Sequence, residues 1–193
     1  MGFNLHKDLG KLSARDAAER LLGSMLVRET ASGSVSGIIV ETEAYDQSDK
    51  ASHTYRGLTN RNYVMFGPAG SSYVYFTYGM HYCVNVVVGP EGMGASVLLR
   101  AIEPLTGIEL MAFRRLTTDI RKICNGPAKI CQAFSINKEL NGHDLKKPPL
   151  YLELNDPIAT KKIVWTERIG IRENKTLLWR ACIKDSPFVS RQV

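Results

Sequence analysis

The chain has 193 residues, of which 44% are hydrophobic and 23% are charged, as in a globular protein with a core of its own. Its 25 Lys and Arg residues outnumber its 19 Asp and Glu residues, and the net charge of +6 favours a polyanionic partner without identifying one. No apolar run approaches the roughly 20 residues of a membrane-spanning helix, which excludes that class of protein.

Two further features concern compartment and metal binding. Residues 1–10 lack the apolar segment of a signal peptide, so we expect a cytoplasmic protein with no membrane partner. Cys83, Cys124, Cys131 and Cys182 include no Cys-x-x-Cys pair, and no His stands at zinc-finger spacing from them. We therefore expect free thiols, no metal and no cofactor.

The first part of the chain predicts one helix and two strands. Ser13 is a suitable N-cap, and the helix should run to Leu22 and end at Gly23. Residues 25–29 and 35–43 are rich in strand-forming side chains on either side of a short polar turn.

The most informative stretch is residues 72–88, which follow an irregular polar loop over residues 46–62. Two runs of aromatic and β-branched residues flank Tyr78-Gly79-Met80, and Gly79 can adopt the positive φ of a turn. The pattern predicts a β-hairpin with aromatic residues at and near its tip.

The remaining elements decide the fold class. After a turn over residues 89–94, the patterns predict a strand over residues 95–103, helices over 105–116 and 128–134, and strands over 162–171 and 177–183. Strands that follow one another with few helical crossovers favour the α+β class with a largely antiparallel sheet. No linker or repeat divides the chain, so we expect a single domain over residues 1–193.

Two acidic residues, Glu41 and Glu43, end the apolar strand and point to the same face, because side chains alternate along a strand. They could form a metal pair or a glycosidase pair, one could work while the other does not, or both could be solvated. Tyr45 follows on the same face, and His53 comes soon after. A carboxylate flanked by flat rings suits a pocket for a planar base, with the carboxylate acting on water beside it.

The aromatic residues of the hairpin allow two interpretations. Tyr73, Tyr75 and Tyr82 could simply cover a core, as aromatic residues on strands commonly do. Tyr78 lies beside the turning Gly79, where the chain should project into solvent. A tyrosine there is suited to insert between base pairs and fill the space of a flipped nucleotide.

Three polar residues are further candidates. Asn85 interrupts a run of valines and is either a structural hydrogen-bonding group or a pocket selector. Arg100 follows Val97-Leu98-Leu99 and either forms an ordinary ion pair or holds a water or a phosphate. Lys129 stands in the first turn of a predicted helix, a position that suits a phosphate.

A series of short segments, taken together and in their order along the chain, is typical of one protein family. The segments are Ile39-Val40-Glu41-Thr42-Glu43-Ala44-Tyr45, Ser52-His53, Arg61-Asn62, Met65-Phe66, Tyr73-Val74-Tyr75, Tyr78-Gly79-Met80, Asn85, Val97-Leu98-Leu99-Arg100-Ala101, Glu103-Pro104, Gly126-Pro127-Ala128-Lys129, Arg168-Ile169-Gly170-Ile171 and Ser186-Pro187. In this order the sequence resembles the alkyladenine (3-methyladenine, N-methylpurine) DNA glycosylase family, from about Leu21 to the C-terminus. The family often has Thr-Pro-Arg-Asn where this chain has Thr59-Asn60-Arg61-Asn62, and the missing proline would loosen only that loop.

The resemblance implies a catalytic group of three residues. Glu43 would be the general base that deprotonates the attacking water, and Arg100 and the backbone carbonyl of Ile169 would help to hold that water. Breaking an N-glycosidic bond builds positive charge on the sugar, which a nearby carboxylate stabilises.

The resemblance also implies a base pocket and a wedge. Tyr45, His53 and Tyr75 would sandwich the flipped base, and Asn85 would lie against the purine edge and disfavour guanine by clashing with its 2-amino group. Tyr78 would intercalate in the minor groove. Members of the family differ in their preference among 3-methyladenine, 7-methylguanine, hypoxanthine and ethenoadenine.

For the whole protein, the resemblance implies a compact domain with a curved, largely antiparallel sheet, flanking helices and a protruding, DNA-intercalating β-hairpin. The partner would be double-stranded DNA that contains damaged purines, with nucleoid association in a bacterium. We expect a monomer. Because water is the nucleophile and no lysine is recognised in the pocket, the enzyme would be monofunctional and would not cleave the strand.

Two other functions remain compatible with parts of the sequence. One is a noncatalytic nucleic-acid-binding module, which would keep the hairpin and the charge. The other is a metal-dependent hydrolase or nuclease that uses Glu41 and Glu43, and its activity should vanish with a chelator.

Overall fold

The structure is a computed structural model in which residues 5–193 are described. The interpretation of residues 1–10 as no signal peptide therefore falls partly outside the described residues. None of the described helices is long and apolar enough to cross a membrane.

Eight β-strands and five α-helices alternate with turns and 3-10 helices in the described residues. The strands are β1 (Met25–Thr30), β2 (Gly33–Tyr45), β3 (Ser72–Thr77), β4 (His81–Val87), β5 (Ser96–Thr106), β6 (Leu150–Glu153), β7 (Ile163–Thr166) and β8 (Arg180–Ile183). The α-helices are α1 (Leu5–Leu9), α2 (Ala14–Leu21), α3 (Ile108–Arg115), α4 (Ile120–Ile123) and α5 (Pro127–Ala133). The 3-10 helices are Tyr63–Phe66, Lys138–Leu140 and Thr160–Lys162.

The eight strands form one sheet in the order β3-β4-β5-β2-β1-β6, with β7 and β8 off this path and every pairing antiparallel. Strand β2 forks the sheet, because its first half pairs with β1 while Glu41, Thr42 and Glu43 pair with β8, and β5 runs along its other edge. Register shifts on either side of Glu41 bend β2 there. The sheet curls into a half-barrel, and the predicted α+β class is confirmed.

Helix α2 shows why the core lies where it does. Ser13 caps the helix, since its hydroxyl accepts the Asp16 N–H at 3.1 Å, as predicted. The four buried residues of the helix are spaced as one helical face, which packs against β2. The helix ends at Leu21, one residue before the predicted end.

The predicted hairpin is confirmed. Strands β3 and β4 pair from Ser72 with Val86 to Thr77 with His81, and a three-residue turn joins them. Tyr78 adopts a φ of 52° and Gly79 a φ of 68° in this turn. The Tyr78 side chain is 82% exposed, so the tip projects into solvent.

Three predicted boundaries are wrong. The helix predicted over 105–116 begins at Ile108, because β5 continues to Thr106 beside β2 and Gly107 then turns the chain with a φ of 66°. The strands predicted over 162–171 and 177–183 shrink to β7 and β8, because only those residues find a pairing partner. The intervening residues 167–179 are irregular. Strand β6 was not predicted.

Candidate active site

A cavity of about 620 Å³ opens between the end of β2, the β3-β4 hairpin, β5 and the irregular segment that follows β7. Seven of the eight predicted site residues line it: Tyr45, His53, Tyr75, Tyr78, Asn85, Arg100 and Ile169. The eighth, Glu43, is completely buried and contacts three of the seven. The fold therefore brings all the predicted residues to one place.

Glu43 is held from both sides. Its Oε1 accepts a hydrogen bond from the backbone N–H of Ile169 at 2.7 Å and lies 3.4 Å from Arg100 Nε. Its Oε2 accepts a hydrogen bond from the Tyr45 hydroxyl at 2.7 Å. Because a carboxylate oxygen has two lone-pair sites, Oε2 can accept one further donor, such as a water.

Glu41 has a different environment on the same side of β2. Its Oε1 accepts from Arg180 Nε at 2.7 Å, from Arg100 Nε at 3.0 Å and from the Ser190 hydroxyl at 2.7 Å. Its Oε2 accepts from the Ser190 N–H at 2.5 Å. Both acids are fully buried, so the interpretation that they are solvated is wrong. Two guanidinium groups and Ser190 already bind the Glu41 oxygens that would have to coordinate a cation held between Glu41 and Glu43.

The buried carboxylates and guanidinium groups of this network stabilise one another's charged forms. Burial alone would raise the pKa of Glu41, but the hydrogen bond from Arg180, the charge of Arg100 and the Ser190 N–H hold the pKa below its ordinary value. Burial would lower the pKa of Arg100, but Glu43 and Glu41 raise it. Glu41 is therefore ionised and fixes Arg100, so we interpret it as the structural member of the acidic pair.

The substitution Glu41→Gln should lower the free energy of unfolding by about 3 kcal/mol, because this carboxylate contacts two buried guanidinium groups and its loss leaves one of their charges unbalanced. Since the pKa of Glu41 is lower in the folded state, its stabilisation is present above the unfolded pKa of about 4.3 and is lost as the pH falls through the folded pKa. Urea unfolding at pH 7 measures the change, with the exposed Glu91→Gln as the matched control. A loss no larger than that of the control would contradict this role.

Tyr45 contributes both a ring and a hydroxyl. Burial, followed by the nearby charge of Glu43, raises the pKa of Tyr45 well above its ordinary value, so the hydroxyl stays protonated and donates to Glu43. The ring lines the cavity. Tyr45 thus couples the wall of the cavity to the carboxylate.

His53 and Tyr75 form a second aromatic group that lines the cavity. The centroids of their rings are 4.6 Å apart at 77°, and the His53 Nδ1 lies 3.0 Å from the Tyr73 hydroxyl. Although His53 is partly exposed to solvent, burial and then the charge of Arg61 lower the pKa of His53 to about 4. The imidazole is therefore neutral at pH 7 and offers a flat, uncharged surface. Tyr73 is fully buried beneath this group, as the core interpretation predicted.

Asn85 makes a structural hydrogen bond, which is one of the two interpretations that the sequence left open, and its role as a pocket selector stays a prediction. Its side-chain N–H₂ donates to the Ser96 hydroxyl at 2.8 Å, which is a structural bond, and both residues line the cavity. Its Oδ1 is buried and has no hydrogen-bond partner in the described part of the chain. Because an unpaired buried oxygen is costly, this atom is available to a ligand.

Ile169 is reached through its backbone. The structure gives its N–H as the donor to Glu43, whereas the resemblance assigned a role to its carbonyl, which stays a prediction. The expectation that the pocket contains no lysine is wrong, because the exposed Lys50 lines the cavity. Lys129, the phosphate candidate, donates from Nζ to the Asn125 side chain at 2.6 Å.

The sequence missed the groups that support these residues. Arg180 and Ser190 bind Glu41, and a buried Asp49–Arg168 ion pair lies beside Tyr45. No spacing links these positions, which are brought together only by the pairing of β8 with β2 and by the irregular segment. The cysteine prediction is confirmed, since all four cysteines are free and buried. Among residues 5–193, no group of three or more His, Cys, Asp or Glu side chains is arranged to hold a metal ion.

Comparison with known proteins places the chain among the DNA glycosylases. Residues 9–187 match the family model described as Methylpurine-DNA glycosylase (MPG). The chain therefore belongs to the methylpurine-DNA glycosylase family, as the resemblance predicted.

Curated relatives span nearly the same length. A protein of Carboxydothermus hydrogenoformans is 49% identical over 183 residues, which cover 93% of this chain and 96% of the relative. A protein of Francisella tularensis is 46% identical over 185 residues, which cover 94% and 96%. A protein of Agrobacterium fabrum is 47% identical over 179 residues, which cover 93% and 88%. Each bears the name "Putative 3-methyladenine DNA glycosylase".

Proposed function

We propose that this protein is a monofunctional DNA glycosylase of base excision repair, which removes alkylated purines such as 3-methyladenine from duplex DNA and leaves an abasic site. The observation that carries the proposal is the position of Glu43, a buried carboxylate beside a cavity lined by aromatic rings. Such a cavity can enclose a planar base that has left the helix. The names of the relatives support 3-methyladenine as a substrate.

Glu43 acts on water. The bond between C1′ of the sugar and the purine nitrogen breaks, and its electron pair leaves with the base. Glu43 takes a proton from water, whose oxygen adds to C1′, and the carboxylate stabilises the positive charge that develops on the sugar. Arg100 and the Ile169 N–H hold the carboxylate. We expect Arg100 and the Ile169 carbonyl to hold the water. An alkylated base that carries a positive charge leaves as a neutral molecule and needs no acid.

The aromatic residues select the base. A purine stacks on Tyr45 and contacts the edge-to-face pair of His53 and Tyr75, and Asn85 contacts its edge. Asn85 disfavours undamaged guanine, because its side chain would clash with the 2-amino group. Hypoxanthine and ethenoadenine lack this group, so we include them among the expected substrates.

Tyr78 opens the duplex. Its ring is exposed at the tip of the hairpin and next to the cavity, where it can fill the space that a flipped nucleotide leaves. The net charge of +6 supports binding to the phosphate backbone. Damaged bases are easier to unpair, which adds to selectivity.

Excision should leave the strand intact, because a water and not an amine attacks C1′. Lys50 is the lysine that could contradict this, since it lines the cavity and could form a Schiff base with the sugar. Such an intermediate would be trapped covalently by borohydride. We expect no trapped complex.

The test uses labelled duplexes that each carry one hypoxanthine or one ethenoadenine, with EDTA present and alkali added only after the reaction. Strand cleavage that appears only after alkali is the expected result, because an abasic site is alkali-labile. Cleavage without alkali together with a borohydride-trapped complex would show a lyase. Binding of methylated DNA with no released base from any lesion would instead indicate a noncatalytic module.

A further inference from the structure

A buried ion pair that the proposed reaction does not use lies behind the cavity. Asp49 Oδ2 accepts a hydrogen bond from Arg168 Nη1, and neither side chain is exposed to solvent. Asp49 Oδ1 accepts from the Asn174 side chain at 2.7 Å and from the Ala51 N–H at 3.1 Å. Asp49 therefore joins the loop before His53 to the irregular segment after Arg168.

Arg168 stands behind Tyr45. Its Cζ lies 4.6 Å from the centroid of the Tyr45 ring and 5.2 Å from that of Trp179, and Arg168 does not line the cavity that Tyr45 lines. Its Nη1 also donates to the Ala44 carbonyl at 2.8 Å. Its Nε and Nη2 are buried without a hydrogen-bond partner in residues 5–193. Asp49 is thus the anion that balances this guanidinium.

The other buried charges at the cavity are balanced too. Glu41 and Glu43 face Arg100 and Arg180, two anions against two cations. The remaining charged residues that line the cavity are exposed to solvent, which screens them, and they are Lys50, Arg172 and Glu173. Loss of Asp49 would therefore leave one unbalanced, buried positive charge behind Tyr45.

We propose that Asp49 is a specificity-determining residue, which neutralises Arg168 and thereby lets the cavity bind a positively charged base against Tyr45. This inference rests on the proposed function. A base stacked on the cavity face of Tyr45 would lie about 8 Å from the guanidinium, within the range of a charge–charge interaction in a poorly solvated site. Without Asp49, Arg168 would repel a cationic base through the ring and leave a neutral base of the same shape unaffected. With Asp49, the face of the ring stays attractive to a cation.

The test compares two duplexes whose lesions have the same shape and different charge. One carries 3-methyladenine on a 2′-fluoro sugar, which resists hydrolysis and keeps the positive charge of the base. The other carries neutral 3-methyl-3-deazaadenine. The preference for the cation is the dissociation constant of the neutral lesion divided by that of the cationic lesion. This ratio should fall about tenfold in Asp49→Asn and rise by a similar factor in Arg168→Gln. The double variant Asp49→Asn/Arg168→Gln should return it to the wild-type value.

Opposite shifts in the two single variants separate a charge effect from a packing effect. A purely structural link would weaken binding of both lesions alike in every variant and leave the ratio unchanged, which would overturn the proposal. If Asp49→Asn does not fold, Arg168→Gln and the double variant decide, because the double variant removes both buried charges. If wild-type protein binds neither lesion more tightly than undamaged duplex, the proposed function fails instead. Circular dichroism and affinity for undamaged duplex report on folding.

Discussion

Replacement of Glu43 by Gln should lower the single-turnover rate of base excision by about a thousandfold and leave the affinity for duplex that contains a neutral lesion, such as ethenoadenine, nearly unchanged. Glutamine has the same shape but can neither take the water's proton nor stabilise the positive charge that develops on the sugar. Its Oε1 can still accept from the Ile169 N–H and face Arg100, and its side-chain N–H₂ can donate to the Tyr45 hydroxyl once that hydroxyl turns. Rapid-quench excision and equilibrium binding measure the two quantities separately.

Glu43→Asp is the matched control for this result. Aspartate keeps the negative charge but withdraws the carboxylate by one methylene group, so it should retain part of the rate that glutamine loses. Equal losses of binding and of excision in Glu43→Gln would instead mean that Glu43 is structural. The comparison with Glu41→Gln is also informative, because the main effect of that variant should be a lower free energy of unfolding.

Tyr78→Ala should reduce excision from fully paired duplex by about 10- to 100-fold and affect affinity for undamaged duplex much less. The hairpin tip contributes a wedge only when a base has left the stack, and the exposed ring makes no contact that the fold needs. A lesion in a mismatch or in single-stranded DNA is already unpaired, so its excision should be nearly unchanged. Single-turnover rates on the three substrates measure the difference.

Met80→Ala is the control, because Met80 is the other large residue at the tip and is 68% exposed. It should have a smaller effect, since a flexible side chain fills a stacking gap less well than a ring does. Unchanged excision from paired duplex in Tyr78→Ala would contradict the role of Tyr78 as a wedge between base pairs.

Local sequence patterns predicted the elements in which apolar and polar residues recur with the period of a helix or a strand. The α2 helix, the β3-β4 hairpin and the acidic strand β2 follow from caps, alternation and turn residues, and their ends shifted by only a few residues. The prediction failed where strand pairing, rather than the conformational preference of the residues, determines the end of an element. Strand β5 runs on to Thr106 because β2 continues beside it. The segment after β7 is irregular although it is apolar in places.

The site divides in the same way. Residues with a strong chemical signature on a regular element, such as Glu43 and Asn85, could be singled out from the sequence, and the resemblance assigned their roles. Their supporting partners could not. Arg180 reaches Glu41 across a strand pairing distant in sequence, and Asp49 reaches Arg168 between two irregular segments. These contacts depend on tertiary geometry that no local spacing records.

The most direct measurement of the central claim is the release of free bases from methylated duplex DNA in the presence of EDTA, followed by chromatography. Wild-type protein should release 3-methyladenine and leave alkali-labile sites in equal number. Glu43→Gln should bind the same DNA and release the base about a thousandfold more slowly. Release by Glu43→Gln at the wild-type rate, or binding by wild-type protein without any release, would contradict the assignment of Glu43 as the group that activates water.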